Sequence, residues 1–250
     1  MIKYGLIAGT GFDNFDRHLE KIKVVTKYGT VLVSLYQEED FQVAILNRHG
    51  NDHVIPPHKI NYRNNIAALH QLGVQYIYGI CAVGSLHSKI VPGDLVLIED
   101  FLDMTKNRIT SFYNGEDSLV KHLEVSKPYS EGLSHLFLEH SSVSNIHKKG
   151  IYVCTEGPRF ESRIEIKLYQ SLGCHVVGMT NIPEVLLANE KNISYACISY
   201  VTNYCTGVKG IISADDFKKN KVDKDRLLRS ISSCFKDPNI LNIQSDSILL

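Results

Sequence analysis

Residues 61–85, NYRNNIAALHQLGVQYIYGICAVGS, decide the fold class. Over 61–72 the apolar residues Ile66, Leu69 and Leu72 recur at helical spacing, and Gly73 follows as a residue that can end the helix in a left-handed cap. Residues 74–81 then hold YIYGIC, rich in β-branched and aromatic side chains, which reads as a strand. With a strand already upstream, the order strand, helix, strand is the pattern of a parallel sheet. The second strand runs out into Ala82-Val83-Gly84-Ser85, whose small side chains leave room for a ligand.

Upstream, residues 4–8 form a short apolar strand entering the turn Gly9-Thr10-Gly11, where backbone N–H groups can approach an anion. The third glycine of a dinucleotide fingerprint is missing, which argues against a Rossmann cofactor site. Residues 23–33 and 41–46 read as strands, the latter closed by Asn47-Arg48-His49-Gly50. Downstream, Pro92-Gly93-Asp94 turns into a strand at 95–98, and 101–115 reads as a long loop covering a site or an interface. Residues 121–129 lack periodicity, and 131–144 are helical. A strand at 151–154 enters the corner 155–161, followed by a helix over 162–172 that ends at Gly173. A strand at 176–179 leads through 180–184 into a helix at 185–192. The run 193–207, ISYACISYVTNYCTG, is a buried strand that stops at Thr202 and Asn203, at the lip of a sheet where α/β folds place ligands. After a connection at 208–214, residues 215–234 put Lys218, Lys219, Lys221, Lys224, Arg226 and Arg229 on the wet face of a helix. The tail from 236 ends in Ile248-Leu249-Leu250, which packs on the body or on another subunit.

No repeat, linker or low-complexity segment interrupts the alternation. The expected architecture is one α/β domain over residues 1–250, with a central mixed, mostly parallel sheet flanked by helices, and a tail over about 236–250 with no assigned role.

Composition narrows the function classes. With 27 basic and 27 acidic residues the chain has no net charge, which argues against a nucleic-acid groove or a membrane-binding basic face and for a small-molecule partner. Its six cysteines lie far apart without a C-x-x-C pair, so reduced thiols are expected rather than a zinc ribbon or redox dithiol. The start, MIKYGLIAGTG, lacks the apolar segment of a leader or a membrane span, and the expected compartment is the cytoplasm.

Several side chains suit chemistry, and each has a plainer alternative. Arg48 beside His49 makes a donor cluster for an oxyanion, or a surface arginine and a turn histidine. Phe160 and Glu161 could wall a flat pocket and accept from a ring N–H, or be a core aromatic and a first-turn acid. Asn203 offers a donor and an acceptor to a heterocycle, or caps the next turn. His49, Asp52, His53 and His58 could be metal ligands, but Gly50 and Pro56-Pro57 oppose the helix that would place them on one face.

Taken in order, AGTGFD at 8–13, NRHG at 47–50, CAVGSL at 81–86 with PGD at 92–94, EGPRFES at 156–162 and MTNIPEV at 179–185 resemble the trimeric purine nucleoside phosphorylase and methylthioadenosine phosphorylase family. The likeness runs from residue 5 to about 207. It implies a homotrimeric transferase in which inorganic phosphate attacks C1′ of a nucleoside, releasing a purine and a ribose 1-phosphate, with no metal and no cofactor. By the same resemblance, Thr10, Arg48, His49, the backbone of Ala82 and Thr180 bind phosphate. Met179 lines the ribose, Phe160 covers the base, and Asn203 and His49 carry the catalytic roles.

Members that cleave 6-aminopurine nucleosides have aspartates where Asn203 and Cys205 stand and a small polar residue in place of Glu161. Members acting on 6-oxopurines have a glutamate and an asparagine, as here. A 6-oxopurine presents N1–H to a carboxylate and O6 and N7 to an amide N–H, whereas adenine would set a lone pair against Glu161, a mismatch of about 1–3 kcal/mol per buried group. The 5′ group falls near Ile211 and Ile212, and no histidine follows His175 to bind a 5′-hydroxyl. His122 lies in a stretch resembling the one a neighbouring subunit contributes. The expected substrate is S-methyl-5′-thioinosine, followed by inosine and guanosine. The alternatives are a methylthioadenosine phosphorylase, a metal-dependent hydrolase built on His49, Asp52, His53 and His58, and a non-catalytic nucleoside binder.

Overall fold

The computed structural model describes residues 2–12, 19–50, 52–113, 115, 120–213, 215–216 and 223–250. The strand expected within 74–85 is β5 (Tyr76–Ser85), and it is the hub of the sheet. It pairs in parallel with β1 (Tyr4–Ala8) on one side and along its whole length with β10 (Ser194–Tyr204) on the other. Buried on both faces, these strands are apolar almost without alternation.

β10 runs antiparallel to β6 (Leu95–Met104), β6 parallel to β8 (Ile146–Thr155), and β8 parallel to β9 (Val176–Gly178). β9 returns to the end of β5, pairing Val177 with Gly84, so five strands close a ring. Outward from β1 lie β4 (Gln42–Asn47), β3 (Gly29–Gln37) and β2 (Glu20–Thr26). The sheet is mixed, with β2, β3, β9 and β6 each making antiparallel pairs; ring closure needed β5 to find three partners, which local pattern does not encode.

Helix α1 (Tyr62–Leu72) starts on Asn61, whose side chain accepts from the Asn64 N–H, and ends at Gly73 with φ 95°. α2 (Glu131–His140) stops four residues earlier than its periodicity suggested, at Ser141 in an extended conformation. Ser162 and Glu165 form a reciprocal capping box at the start of α3 (Arg163–Ser171). α4 (Asn181–Glu190) follows β9, and α5 (Lys224–Lys236) packs Leu227, Ile231, Cys234 and Phe235 inward, leaving Lys224, Arg226 and Arg229 exposed. Lys218, Lys219 and Lys221 fall outside the described residues.

Three expectations are corrected. Residues 23–33 are not one strand but a hairpin of β2 and β3 turning at Lys27-Tyr28. Residues 101–104 continue β6, so the loop begins at Thr105. Residues 121–129 contain β7 (Leu123–Glu124), which pairs with β11 (Ile248–Leu249) in the tail, and the main chains of His122 and Leu250 exchange hydrogen bonds of 3.1 and 2.8 Å. The tail therefore packs on its own chain. All six cysteines are buried free thiols, and no helix among the described residues is long and apolar enough to cross a membrane.

Register fixes the location of a site. Ala8 pairs with Asn47, and Tyr204 pairs with Ser85, so the carboxyl ends of β1, β4, β5 and β10 converge on one edge. The corners leaving β8 and β9 arrive at the same edge.

Candidate active site

At that edge one pocket is lined by Thr10, Arg48, His49, Ala82, Phe160, Glu161, Met179, Thr180, Asn203, Cys205 and Ile212, all singled out from the sequence. Gly9, Pro57, Val83, Gly84, Val177, Gly178 and Thr202 complete the wall. A wider cleft of about 370 Å³ beneath Tyr28 and Phe112 gathers none of these strand-end groups.

One end of the pocket is built around Arg48, whose guanidinium is wholly buried. Its Nε and Nη2 donate to the two carboxylate oxygens of Glu184 at 2.6 Å each, and Nη1 donates to the Ile80 carbonyl at 2.9 Å. Burial alone would favour the uncharged form, but the facing Glu184 carboxylate outweighs it and holds the arginine well above its ordinary range. Three of the five N–H donors are thus committed, and the remaining two belong to Nη1 and Nη2. Gly9 makes the arrangement possible, because a Cβ there would lie 2.6 Å from the Ile80 oxygen and 2.7 Å from Nη1.

His49 places Nδ1 2.8 Å from the Ile55 carbonyl, which can only accept. Nδ1 therefore carries hydrogen, and in the neutral ring Nε2 is the acceptor nitrogen. Its ring lies against His53 with centroids 4.3 Å apart, and His53 Nε2 is 3.5 Å from Thr10 Oγ1. Across the pocket Thr180 is the N-cap of α4 without spending its hydroxyl on the cap; that oxygen lies 3.7 Å from Cys81 Sγ. An arginine and two threonines surround this end, a donor set suited to an oxyanion, while Ile182 (φ −105°, ψ 128°) interrupts α4 before its regular turns.

The other end carries Glu161 and Asn203, 7% and 5% exposed. Thr155 Oγ1 donates to Glu161 Oε1 at 2.7 Å. Burial pushes the Glu161 carboxyl above its usual range, while the Thr155 bond, its own backbone N–H and Arg159 oppose the shift. Thr202 Oγ1 donates to Asn203 Oδ1 at 2.7 Å, and Asn203 Nδ2 donates to the Tyr204 carbonyl at 2.9 Å. The amide oxygen is thereby turned away, which leaves the second N–H of Nδ2 for a ligand. The Cys205 thiol is held neutral, its ionisation raised by burial and by Glu161. Beneath them Gly84 keeps the floor open, since a Cβ would lie 2.8 Å from Cys205 Sγ and 3.4 Å from Asn203 Nδ2. Phe160 stands half-exposed at the mouth.

Of the two isoleucines expected beside the 5′ group, one lines the pocket, and the His122 expected from a neighbouring subunit is not tested by a single chain. Ile211 is 94% exposed, whereas its neighbour Ile212 lines the wall. His122 is exposed and absent from the pocket of its own chain, its backbone held by the tail. Among the described residues no three histidine, cysteine, aspartate or glutamate side chains converge as metal ligands, and this includes His49, Asp52, His53 and His58.

The Phosphorylase superfamily pattern matches residues 3–231. The chain belongs to the phosphorylase superfamily. Within it, the chain is 49% identical over 213 residues to the probable 6-oxopurine nucleoside phosphorylase of Dictyoglomus turgidum, covering 83% of this chain and 80% of that protein. It is 43% identical over 211 residues to the probable S-methyl-5′-thioinosine phosphorylase of Methanopyrus kandleri, covering 83% and 81%. The methylthioadenosine phosphorylase of Schistosoma mansoni, solved with adenine, superposes with a TM-score of 0.87 at 30% identity over 96% of this chain and 94% of that one.

Three residues of this phosphorylase were not singled out from the sequence. Glu184 sits inside the MTNIPEV motif, and a buried Arg48 demands such a partner. Thr155 opens the corner that carries Glu161. Arg108 gave no local signal: it lies in the loop after β6 and reaches the carbonyls of Thr155 at 3.1 Å, Glu156 at 2.9 Å and Ile182, fastening the base-side corner to the start of α4.

Proposed function

We propose that the protein cleaves the N-glycosidic bond of a 6-oxopurine nucleoside with inorganic phosphate, S-methyl-5′-thioinosine first, with inosine and guanosine next. The observation that carries this reading is the pairing, at one end of the pocket, of a buried Glu161 with Asn203, whose amide oxygen is taken by Thr202. A carboxylate accepts from N1–H, and an amide N–H donates to O6 or N7. The match with 6-oxopurine phosphorylases among the relatives supports the same choice.

Phosphate, bound by Thr10, Arg48, His49, the Ala82 backbone and Thr180, attacks C1′ as the bond to the purine nitrogen breaks. The bonding pair leaves on the base, where negative charge spreads toward N7 and O6. Asn203 donates to that charge, a contact stronger in the transition state than in the bound nucleoside. Held in contact, nucleophile and sugar gain the advantage of proximity. Met179 flanks the ribose, Phe160 covers the base and Ile212 faces the 5′ group. This scheme uses neither a metal nor an organic cofactor; its partners are nucleoside and phosphate, without nucleic acid or membrane, and its compartment is the cytoplasm.

The protein acts as a homotrimer in this reading. On α3 and at its C-cap, Ile164, Leu168 and Leu172 are 73%, 48% and 57% exposed at intervals of four, an apolar stripe beginning just beyond Phe160. A second copy covering that stripe would lie beside the mouth of the pocket, and its His122 stretch is the part the resemblance assigns to the site.

The test supplies methylthioinosine, inosine, guanosine, methylthioadenosine and adenosine with and without phosphate, and measures free base. Phosphate-dependent release from the 6-oxopurine nucleosides, undiminished by a chelator, is expected. Release from the two adenine nucleosides alone would overturn the base assignment, and release without phosphate would overturn phosphorolysis.

A further inference from the structure

We propose that Thr155 is a specificity-determining positioning residue, whose hydroxyl holds the Glu161 carboxylate ionised and facing the purine, so that the site takes N1–H of a 6-oxopurine and refuses a 6-aminopurine. The inference rests on the base-site reading above.

Thr155 closes β8 and is 8% exposed, so neither it nor Glu161 has bulk water as an alternative partner. Its hydroxyl has one proton and two acceptors in range, Glu161 Oε1 at 2.7 Å and the Gly178 carbonyl at 3.5 Å. The shorter, charge-assisted bond takes the proton. With Oε1 tied to Thr155, Oε2 is the oxygen assigned to the ring, the carboxylate having acceptor sites to spare.

The protonation state of Oε2 decides which purine fits. As a carboxylate it accepts from N1–H of hypoxanthine or guanine and repels the N1 lone pair of adenine. As a carboxylic acid it donates to that same lone pair, and the discrimination inverts. Burial favours the acid; the Thr155 hydrogen bond favours the carboxylate.

The other groups near Glu161 contribute little net charge. Arg159 is tied to Glu165 by bonds of 2.9 and 2.7 Å, and the two act on Glu161 in opposite directions. The Cys205 thiol and the Tyr169 phenol are both shifted upward and neutral. Thr155 itself is fixed from behind, where Arg108 Nη2 donates to its carbonyl.

The experiment compares pH profiles of kcat/KM for inosine and adenosine at saturating phosphate in the wild type, Thr155→Val, Thr155→Ser and Glu161→Leu. Phosphate ionisation is common to all four and cancels in the comparison. Loss of one hydrogen bond to the charged form should move the acid limb for inosine upward by about one pH unit in Thr155→Val. The adenosine-to-inosine ratio near pH 6 should rise about tenfold, and Thr155→Ser should restore both. Superimposed inosine limbs in Thr155→Val and wild type, with Glu161→Leu inactive on inosine, would overturn the role of Thr155 alone. Inosine cleavage retained by Glu161→Leu, which has no acceptor for N1–H, would overturn the base-site reading and this inference with it. Thr155→Ala carries the same test if Thr155→Val does not fold, with the melting temperature measured alongside.

Discussion

Arg48 and Glu184 meet through two 2.6 Å hydrogen bonds with neither side chain reaching solvent. The pair joins the end of β4 to the first turns of α4, so it fixes the arginine against the helix that carries Thr180. Tyr195 Oη donates a further hydrogen bond to Glu184 Oε1, giving the carboxylate a third donor. Removing one member of a buried pair strands the other's charge, at a cost of about 3–5 kcal/mol. Glu184→Ala should therefore unfold at a much lower temperature than wild type. Glu184→Gln keeps one acceptor and the shape, and should fold with a smaller loss while the KM for phosphate changes more than that for nucleoside. Calorimetry and steady-state kinetics check both; a Glu184→Ala protein as stable as wild type would refute the pairing argument.

Asn203 allows a sharper exchange. In Asn203→Asp the donor proposed for O6 and N7 becomes an acceptor, and a second carboxylate stands near Glu161. Activity on inosine should fall by a factor of about ten to a hundred, the price of a mismatched buried polar pair. The ratio of adenosine to inosine turnover should rise. Equal losses on both substrates would mean that Asn203 does not read the base.

How much of this was legible in the sequence follows from the range of the forces involved. The helix over 62–72 and the strand after it are set by local spacing and by Asn61 and Gly73, and they appear where the pattern places them. The hairpin at Lys27-Tyr28 was missed because no Asn-Gly or Asp-Gly pair marks it; the turn is held by Asn61 Nδ2 donating to the Tyr28 carbonyl at 2.8 Å, from a residue 33 positions away. The pocket residues come from short motifs at strand ends, so they could be gathered before the fold was known. Glu184 and Arg108 could not be read the same way, because a buried charge shows its need for partners only once its surroundings are packed. β11 on β7 is two residues paired with two, below what periodicity can resolve.

The stripe of Ile164, Leu168 and Leu172 gives the prediction for assembly. A charge at its centre would have to be buried against apolar surface if another copy covers it. Leu168→Glu should leave the fold of the single chain intact, since Leu168 is 48% exposed there. In light scattering coupled to gel filtration the wild type is expected to run as a trimer and Leu168→Glu closer to a monomer, with a rise in KM for nucleoside if His122 is supplied across the interface. A Leu168→Glu protein that remains trimeric would remove α3 from the interface.

Gly84 tests the floor of the base site with a single carbon. Its backbone lies in a strand that any residue can adopt, so Gly84→Ala acts through space alone. The added Cβ would lie 2.8 Å from Cys205 Sγ and 3.4 Å from Asn203 Nδ2, and the sulfur must move for the chain to fit. Because the main chain of Cys205 is held by its N–H bond of 2.8 Å to the Ser85 carbonyl, the strain passes to its side chain and to Asn203. Overpacking of this kind costs about 1–3 kcal/mol, and displacing Asn203 should lower kcat/KM for inosine about tenfold or more. Truncating the obstacle should relieve it. Gly84→Ala combined with Cys205→Ala is expected to recover most of the lost stability and activity, although each change alone is harmful. Purely additive losses in the double variant would show that the methyl group and the thiol do not compete for the same space, and that the damage from Gly84→Ala arises elsewhere in the strand.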